Sequence, residues 1–129
     1  MNAAANQPAL SQATLDFLAR EHKLFINGAW IQSSGPETID IINPSTEEVI
    51  TKIQAGTRAD IDKAVVAAQS ALKGEWAALS SRQRGKVLLR FADLIDENLQ
   101  TLAELEVLDN GQPLMIAQYT VTGFGADFV

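Results

Sequence analysis

Covalent catalysis by a side chain needs a thiol, hydroxyl or amine activated by a neighbouring base, and donors to hold the oxyanion that develops. The chain contains one histidine and no cysteine. That histidine, His22, follows a polar N-terminal arm and reads as a solvated surface residue, so no Ser-His-acid set is expected. The paired hydroxyls Ser33-Ser34 and Ser80-Ser81 read as a loop and a helix cap. Gly123-Phe124-Gly125-Ala126-Asp127-Phe128 resembles the start of a glycine-rich dinucleotide turn, but Phe128 stands where the third glycine belongs. The preceding pattern is also helical, so it lacks the strand-to-helix turn that aims backbone amides at phosphate. No catalytic and no cofactor-binding residue is assigned.

Composition narrows the class. A chain of 129 residues with 47% hydrophobic and 20% charged side chains falls in the range of one globular domain, not of a disordered tail. The net charge of −6 and the absence of a concentrated basic run argue against nucleic acid, whose binding relies on counterion release. The first ten residues carry no Lys or Arg and no continuous apolar core, and no run reaches the length of a membrane span, so neither a secretory signal nor a membrane partner is expected. Without cysteine, disulfides and thiolate metal sites are excluded, and the expected location is cytoplasmic.

Local signals give the elements. Asn27-Gly28, flanked by Leu24-Phe25-Ile26 and Ala29-Trp30-Ile31, predicts a tight β-hairpin. Thr38 to Ile42 and Glu48 to Gln54, joined by Asn43-Pro44-Ser45-Thr46, predict a second strand pair. Thr57 with Asp60, Ser80-Ser81-Arg82-Gln83 and Thr101-Leu102-Ala103-Glu104 each read as a helix start. The helical stripes are Ile61, Ala64, Val65, Ala68, Ala71 and Leu72, then Val87, Leu88, Phe91, Leu94, Ile95 and Leu99. Leu105 and Leu108 follow, closed by Gly111 and Pro113, and residues 114–128 read as a further helix weakened by Gly123 and Gly125. Strand pairs followed by helices read as α+β for the chain alone.

Three segments carry a family resemblance. Leu24-Phe25-Ile26-Asn27-Gly28-Ala29-Trp30, Ile42-Asn43-Pro44-Ser45-Thr46-Glu47-Glu48-Val49-Ile50 and Leu108-Asp109-Asn110-Gly111-Gln112-Pro113 have the order and gaps found at the beginning of the NAD(P)-dependent aldehyde dehydrogenases. The chain resembles that family over residues 24 to about 118. The resemblance implies an α/β fold: the N-terminal part of the cofactor-binding domain, β-hairpins then amphipathic helices, with an incomplete sheet whose other strands come later. Residues 1–23 are then a leader and residues 24–129 a partial N-terminal domain. Much of the apolar stripe on residues 87–99 would lack its partner.

The resemblance also implies site residues. The carboxylate of Asp109 and the backbone carbonyls of Ile41 and Ile42 match a site for a monovalent cation, K+ or Na+, whose remaining ligand lies further along the family's chain. Phe124, with Thr120 one turn earlier, matches the helix lining the aldehyde entrance tunnel. Asp109-Asn110-Gly111 as a plain helix end and Phe124 as ordinary core are the alternatives. The string from Leu10 to Arg20 resembles phenylacetaldehyde dehydrogenases, which implies an aromatic aldehyde. The implied enzyme oxidises an aldehyde to a carboxylic acid with NAD or NADP, and the complete protein is a homo-oligomer, dimer or tetramer. The family's nucleophilic cysteine and general-base glutamate do not lie within Met1 to Val129, so no turnover is expected from this segment alone. Asp127-Phe128-Val129 gives no closing signal, which suits a segment of a longer chain. The rival is a non-catalytic interaction module or truncated gene product that associates with a full-length homologue.

Overall fold

In chain order, the computed structural model, which describes residues 9–121, contains α1 (Gln12–Leu18), β1 (Leu24–Ile26), β2 (Ala29–Ile31), β3 (Thr38–Ile42) and β4 (Val49–Gln54). Then follow α2 (Arg58–Ala71), α3 (Glu75–Ala78), α4 (Ser81–Glu97), α5 (Leu99–Asn110) and α6 (Leu114–Thr120). The expected α/β order of strand pairs and then helices is present, and the described strands form two separate two-stranded sheets, β1-β2 and β3-β4. The chain divides into two compact units: one within Met1–Arg20, Ile41–Thr51 and Leu89–Val129, the other Glu21–Asp40 and Lys52–Leu88.

The second unit begins with the hairpin. Asn27 and Gly28 adopt φ of 54° and 76°, the left-handed pair that closes a two-residue turn in step with strand twist. The antiparallel register places Phe25 opposite Trp30, with ring centroids 4.9 Å apart and planes tilted by 53°. α2 packs against β1. At its start the predicted capping box is present: the Thr57 hydroxyl accepts from the Asp60 N–H at 3.3 Å and the Asp60 carboxylate accepts from the Thr57 N–H at 3.0 Å.

Asp60 does more than cap. Its side chain is buried and also accepts from the Ser34 hydroxyl at 2.6 Å, the Ser34 N–H at 3.0 Å and the Ser33 hydroxyl at 3.2 Å, with Lys63 Nζ at 3.3 Å. The Ser34 hydroxyl, then the N–H groups of Ser34 and Thr57, hold the carboxyl well below its usual range, outweighing the upward push of burial. The Ser33-Ser34 loop is therefore fastened to the helix start, a role beyond the loop reading. His22 departs from expectation as well. It is half-buried with an enclosed Nε2, its backbone forms a parallel bridge with Ile53, and its carbonyl accepts from Gln54 N at 3.2 Å. With its Nε2 enclosed, the side chain does not fit the solvated reading.

The expected cap of α4 is present: Ser80 donates from its N–H and hydroxyl to Gln83 Oε1, both at 2.8 Å, and Gln83 N–H returns to the Ser80 hydroxyl at 3.4 Å. α3, a single turn, is too short to register as periodicity. The stripe Val87, Leu88, Phe91 and Leu94 is exposed, as are Ile61 and Val65 of α2. Among the described residues, no helix is long and apolar enough to cross a membrane. We expect Thr57→Ala to lower unfolding free energy by ~1 kcal/mol, the usual cost of a lost cap. Asp60→Asn should lower it further, because an NH2 would replace one of the two acceptor oxygens and face the donors of the Ser33-Ser34 loop or of Thr57; urea unfolding monitored by circular dichroism measures both.

Candidate functional site

The residues singled out for cation binding lie in the first unit, at the end of α5 and at the end of β3, where the β3-β4 connection begins. That connection is built by Asn43, which is buried: its N–H donates to Glu48 O at 2.9 Å, its carbonyl accepts from Glu47 N at 2.8 Å and its Oδ1 accepts from Ser45 N at 2.9 Å. Glu47 takes a positive φ of 61° to complete the reversal. Ile41 is half-buried and Ile42 exposed on the strand just before it.

α5 ends in a left-handed Gly111, φ 76°, whose N–H donates to Val107 O at 3.0 Å. Gly111 lies against the connection: a Cβ at this position would stand 3.1 Å from Pro44 Cγ and 3.4 Å from Ser45 Oγ. Two of the three sequence motifs thus meet at a glycine whose left-handed backbone and tight surroundings disfavour a side chain. Asp109, two residues before Gly111, is exposed, and its side chain makes no hydrogen bond or ion pair among the described residues. Leu108 beside it is buried.

α5 itself is held by a residue the sequence reading placed elsewhere. Thr101 to Glu104 does not start the helix; α5 begins at Leu99 after Asn98, and Glu104 turns inward, 7% exposed. Glu104 Oε2 accepts from Ser11 N at 3.0 Å, from the Ser11 hydroxyl at 2.7 Å and from the Thr14 hydroxyl, while Gln100 donates to Oε1 at 2.9 Å. Ser11 also caps α1, and Thr14 is fully buried, so α1 is fastened onto α5 by this carboxylate. Burial pushes the Glu104 carboxyl up, but the hydroxyls of Thr14 and Ser11, the Gln100 amide and the Ser11 N–H together prevail and leave it below its usual value. The sequence carried one signal for this inward turn: Glu104 lies four residues before Leu108 and shares its helix face.

α6 packs on α5, and each contributes a fully buried alanine, Ala117 and Ala103. Thr120 is half-buried at the end of α6 and its hydroxyl donates to Ala117 O at 3.0 Å, within its own helix. Phe124 and the Gly123–Phe128 glycine turn lie outside the described residues. Among the described residues, no group of three or more His, Cys, Asp or Glu converges on a metal position.

Motif order, the two hairpins and the contact between the two turns all point one way, and the family model described as "Aldehyde dehydrogenase family" matches residues 30–128. The chain belongs to the aldehyde dehydrogenase family. Aldehyde dehydrogenase 1 of Tanacetum cinerariifolium is 48% identical over 98 residues, covering 75% of this chain and 20% of that protein. Betaine aldehyde dehydrogenase of Bacillus subtilis is 47% identical over 92 residues, covering 70% of this chain and 19% of that protein. The solved NAD+ complex of an aldehyde dehydrogenase from Bacillus cereus superimposes with a TM-score of 0.81 at 35% identity, covering 90% of this chain and 26% of that one. This α/β arrangement of small antiparallel sheet and helices thus matches the N-terminal part of the aldehyde dehydrogenase cofactor-binding domain. The chain spans between 11% and 20% of the length of these and other curated relatives it matches.

The direction of the Glu104 shift fixes a pH dependence. An unfolded chain takes up the proton before the folded one does, so this stabilisation is complete above the unfolded carboxyl's range and is lost as pH falls through the folded value. Glu104→Gln should destabilise the protein at neutral pH by about 1–3 kcal/mol, since amide hydrogens would face the Ser11 and Thr14 donors. It should also flatten the acid limb of the stability profile. Thermal unfolding between neutral and acid pH checks both expectations.

Proposed function

We propose that this chain is the N-terminal segment of an NAD(P)-dependent aldehyde dehydrogenase that oxidises an aldehyde to a carboxylic acid. Residues 24–129 contribute part of the cofactor-binding domain and residues 1–23 a leader. The observation that carries this reading is the seating of Gly111 against Pro44 and Ser45, which joins two of the family motifs in one turn contact. Family membership and NAD+-bound solved relatives support the use of NAD or NADP. The exposed stripes of α2 and α4 suit surfaces that the rest of such an enzyme covers.

Within this reading, Asp109 and the carbonyls of Ile41 and Ile42 contribute to a K+ or Na+ site, supported by the exposed Asp109 side chain and by the seating of Gly111, two residues on, against Pro44 and Ser45. When bound, the cation supplies positive charge that tethers the two turns. Thr120 and Phe124 belong to the substrate passage, and Phe124, with the leader's resemblance, favours an aromatic, phenylacetaldehyde-like substrate. The complete protein is a cytoplasmic homo-oligomer. The chain has no cysteine, so it holds no thiolate to add to an aldehyde carbonyl.

Two measurements test the proposal. Purified, mass-verified residues 1–129 should give no aldehyde-dependent NAD(P)H formation, and measurable turnover would contradict it. Sequencing downstream of Val129 should show an open frame carrying the Cys and Glu motifs. An immediate stop would favour a non-catalytic module that associates with a full-length homologue.

A further inference from the structure

We infer that Asn27 is the chain's site of spontaneous backbone modification, deamidating through a succinimide while Asn110, in the same Asn-Gly dipeptide, is protected by the fold. The sequence offers this chemistry twice, at Asn27-Gly28 and Asn110-Gly111. In each, the following residue has no side chain to block its own backbone nitrogen. The reaction joins Gly28 N to Asn27 Cγ, with the amide proton lost and ammonia expelled, giving a five-membered succinimide. Water then opens either carbonyl, leaving aspartate or isoaspartate at position 27. Water is the only co-reactant and no electron is exchanged.

Both dipeptides are exposed, and they differ in how the reacting groups are engaged. Asn110 donates from Nδ2 to Glu106 Oε1 at 2.6 Å and accepts at Oδ1 from Gln112 N at 3.0 Å. The nitrogen that would attack, Gly111 N, is engaged with Val107 O at 3.0 Å, and Gly111 is hemmed in by Pro44 and Ser45. Ring closure there would break three hydrogen bonds and open the turn contact. Asn27 and Gly28 are both exposed, the Asn27 side chain makes no hydrogen bond among the described residues, and nothing lies within 4 Å of a Cβ built on Gly28. The turn sits on strands of only three residues each, and such short elements open at low free energy. Of the other described asparagines, Asn43 precedes a proline, whose nitrogen carries no hydrogen, and Asn98 precedes the bulkier Leu99.

The product matters locally. Asn27 shares the rim of a groove of about 750 Å³ with Asp62 and Lys63, so aspartate would place a second negative charge there, and isoaspartate would lengthen the backbone in a turn that needs two left-handed residues. The test incubates the 129-residue chain in mildly alkaline buffer, native and in urea, and follows each asparagine by peptide mapping with isoaspartyl detection. The expected result is conversion at position 27 several-fold faster than at position 110 in the native protein, with the two rates converging in urea. Asn27→Gln should abolish the early modification and leave position 110 slow. Equal native rates, faster conversion at 110, or a native position 27 that stays intact while the urea sample converts would each overturn the inference.

Discussion

An ionised carboxylate taken out of water costs several kcal/mol unless donors replace its hydration. Glu104 meets that requirement with donors from Ser11, Thr14 and Gln100, two of them on a segment about ninety residues earlier in sequence. Because those donors are also the cap and first turn of α1, satisfying the charge and docking the helix are one event. α5 is thereby held where its C-terminal glycine meets the Asn43 turn. A hydrophobic residue at position 104 would leave the Ser11 N–H and two hydroxyls needing partners.

The second unit repeats the principle with different parts. Asp60 gathers the start of α2 and the Ser33-Ser34 loop around a single buried carboxylate. Among the described residues the buried apolar side chains are few, and the largest fully buried side chains are the polar Thr14 and Asp60, while much of α2 and α4 faces solvent. Polar anchoring sets local geometry where hydrophobic burial alone is thin. Large apolar faces on α2 and α4 stay exposed in a chain that spans 20% of Aldehyde dehydrogenase 1 of Tanacetum cinerariifolium.

What could be read from the sequence divides along contact range. The Asn27-Gly28 hairpin, the Thr57/Asp60 box and the Ser80/Gln83 box are encoded within four residues, and the structure has all three. The second reach of Asp60 to Ser34 and the inward turn of Glu104 were hidden because their partners lie far away in sequence, and a carboxylate three residues after a hydroxyl looks the same whether it caps or is buried. His22 was misread for a similar reason: its burial follows from a backbone bridge to Ile53, which no local pattern signals. The proximity of the Leu108-Gly111 and Asn43-Ser45 turns came from family resemblance, not from spacing. Composition alone could not have brought them together.

Carbon-13 NMR titration of the side-chain carboxyls tests the anchoring most directly, because each carboxylate reports its own proton. The account predicts that Glu104 and Asp60 both titrate below the ordinary carboxyl range near pH 4. Their shifts should return toward ordinary values in urea. Either carboxyl titrating at or above the ordinary range in the folded protein would contradict the claim that a hydrogen-bonded, ionised carboxylate anchors the elements within each unit.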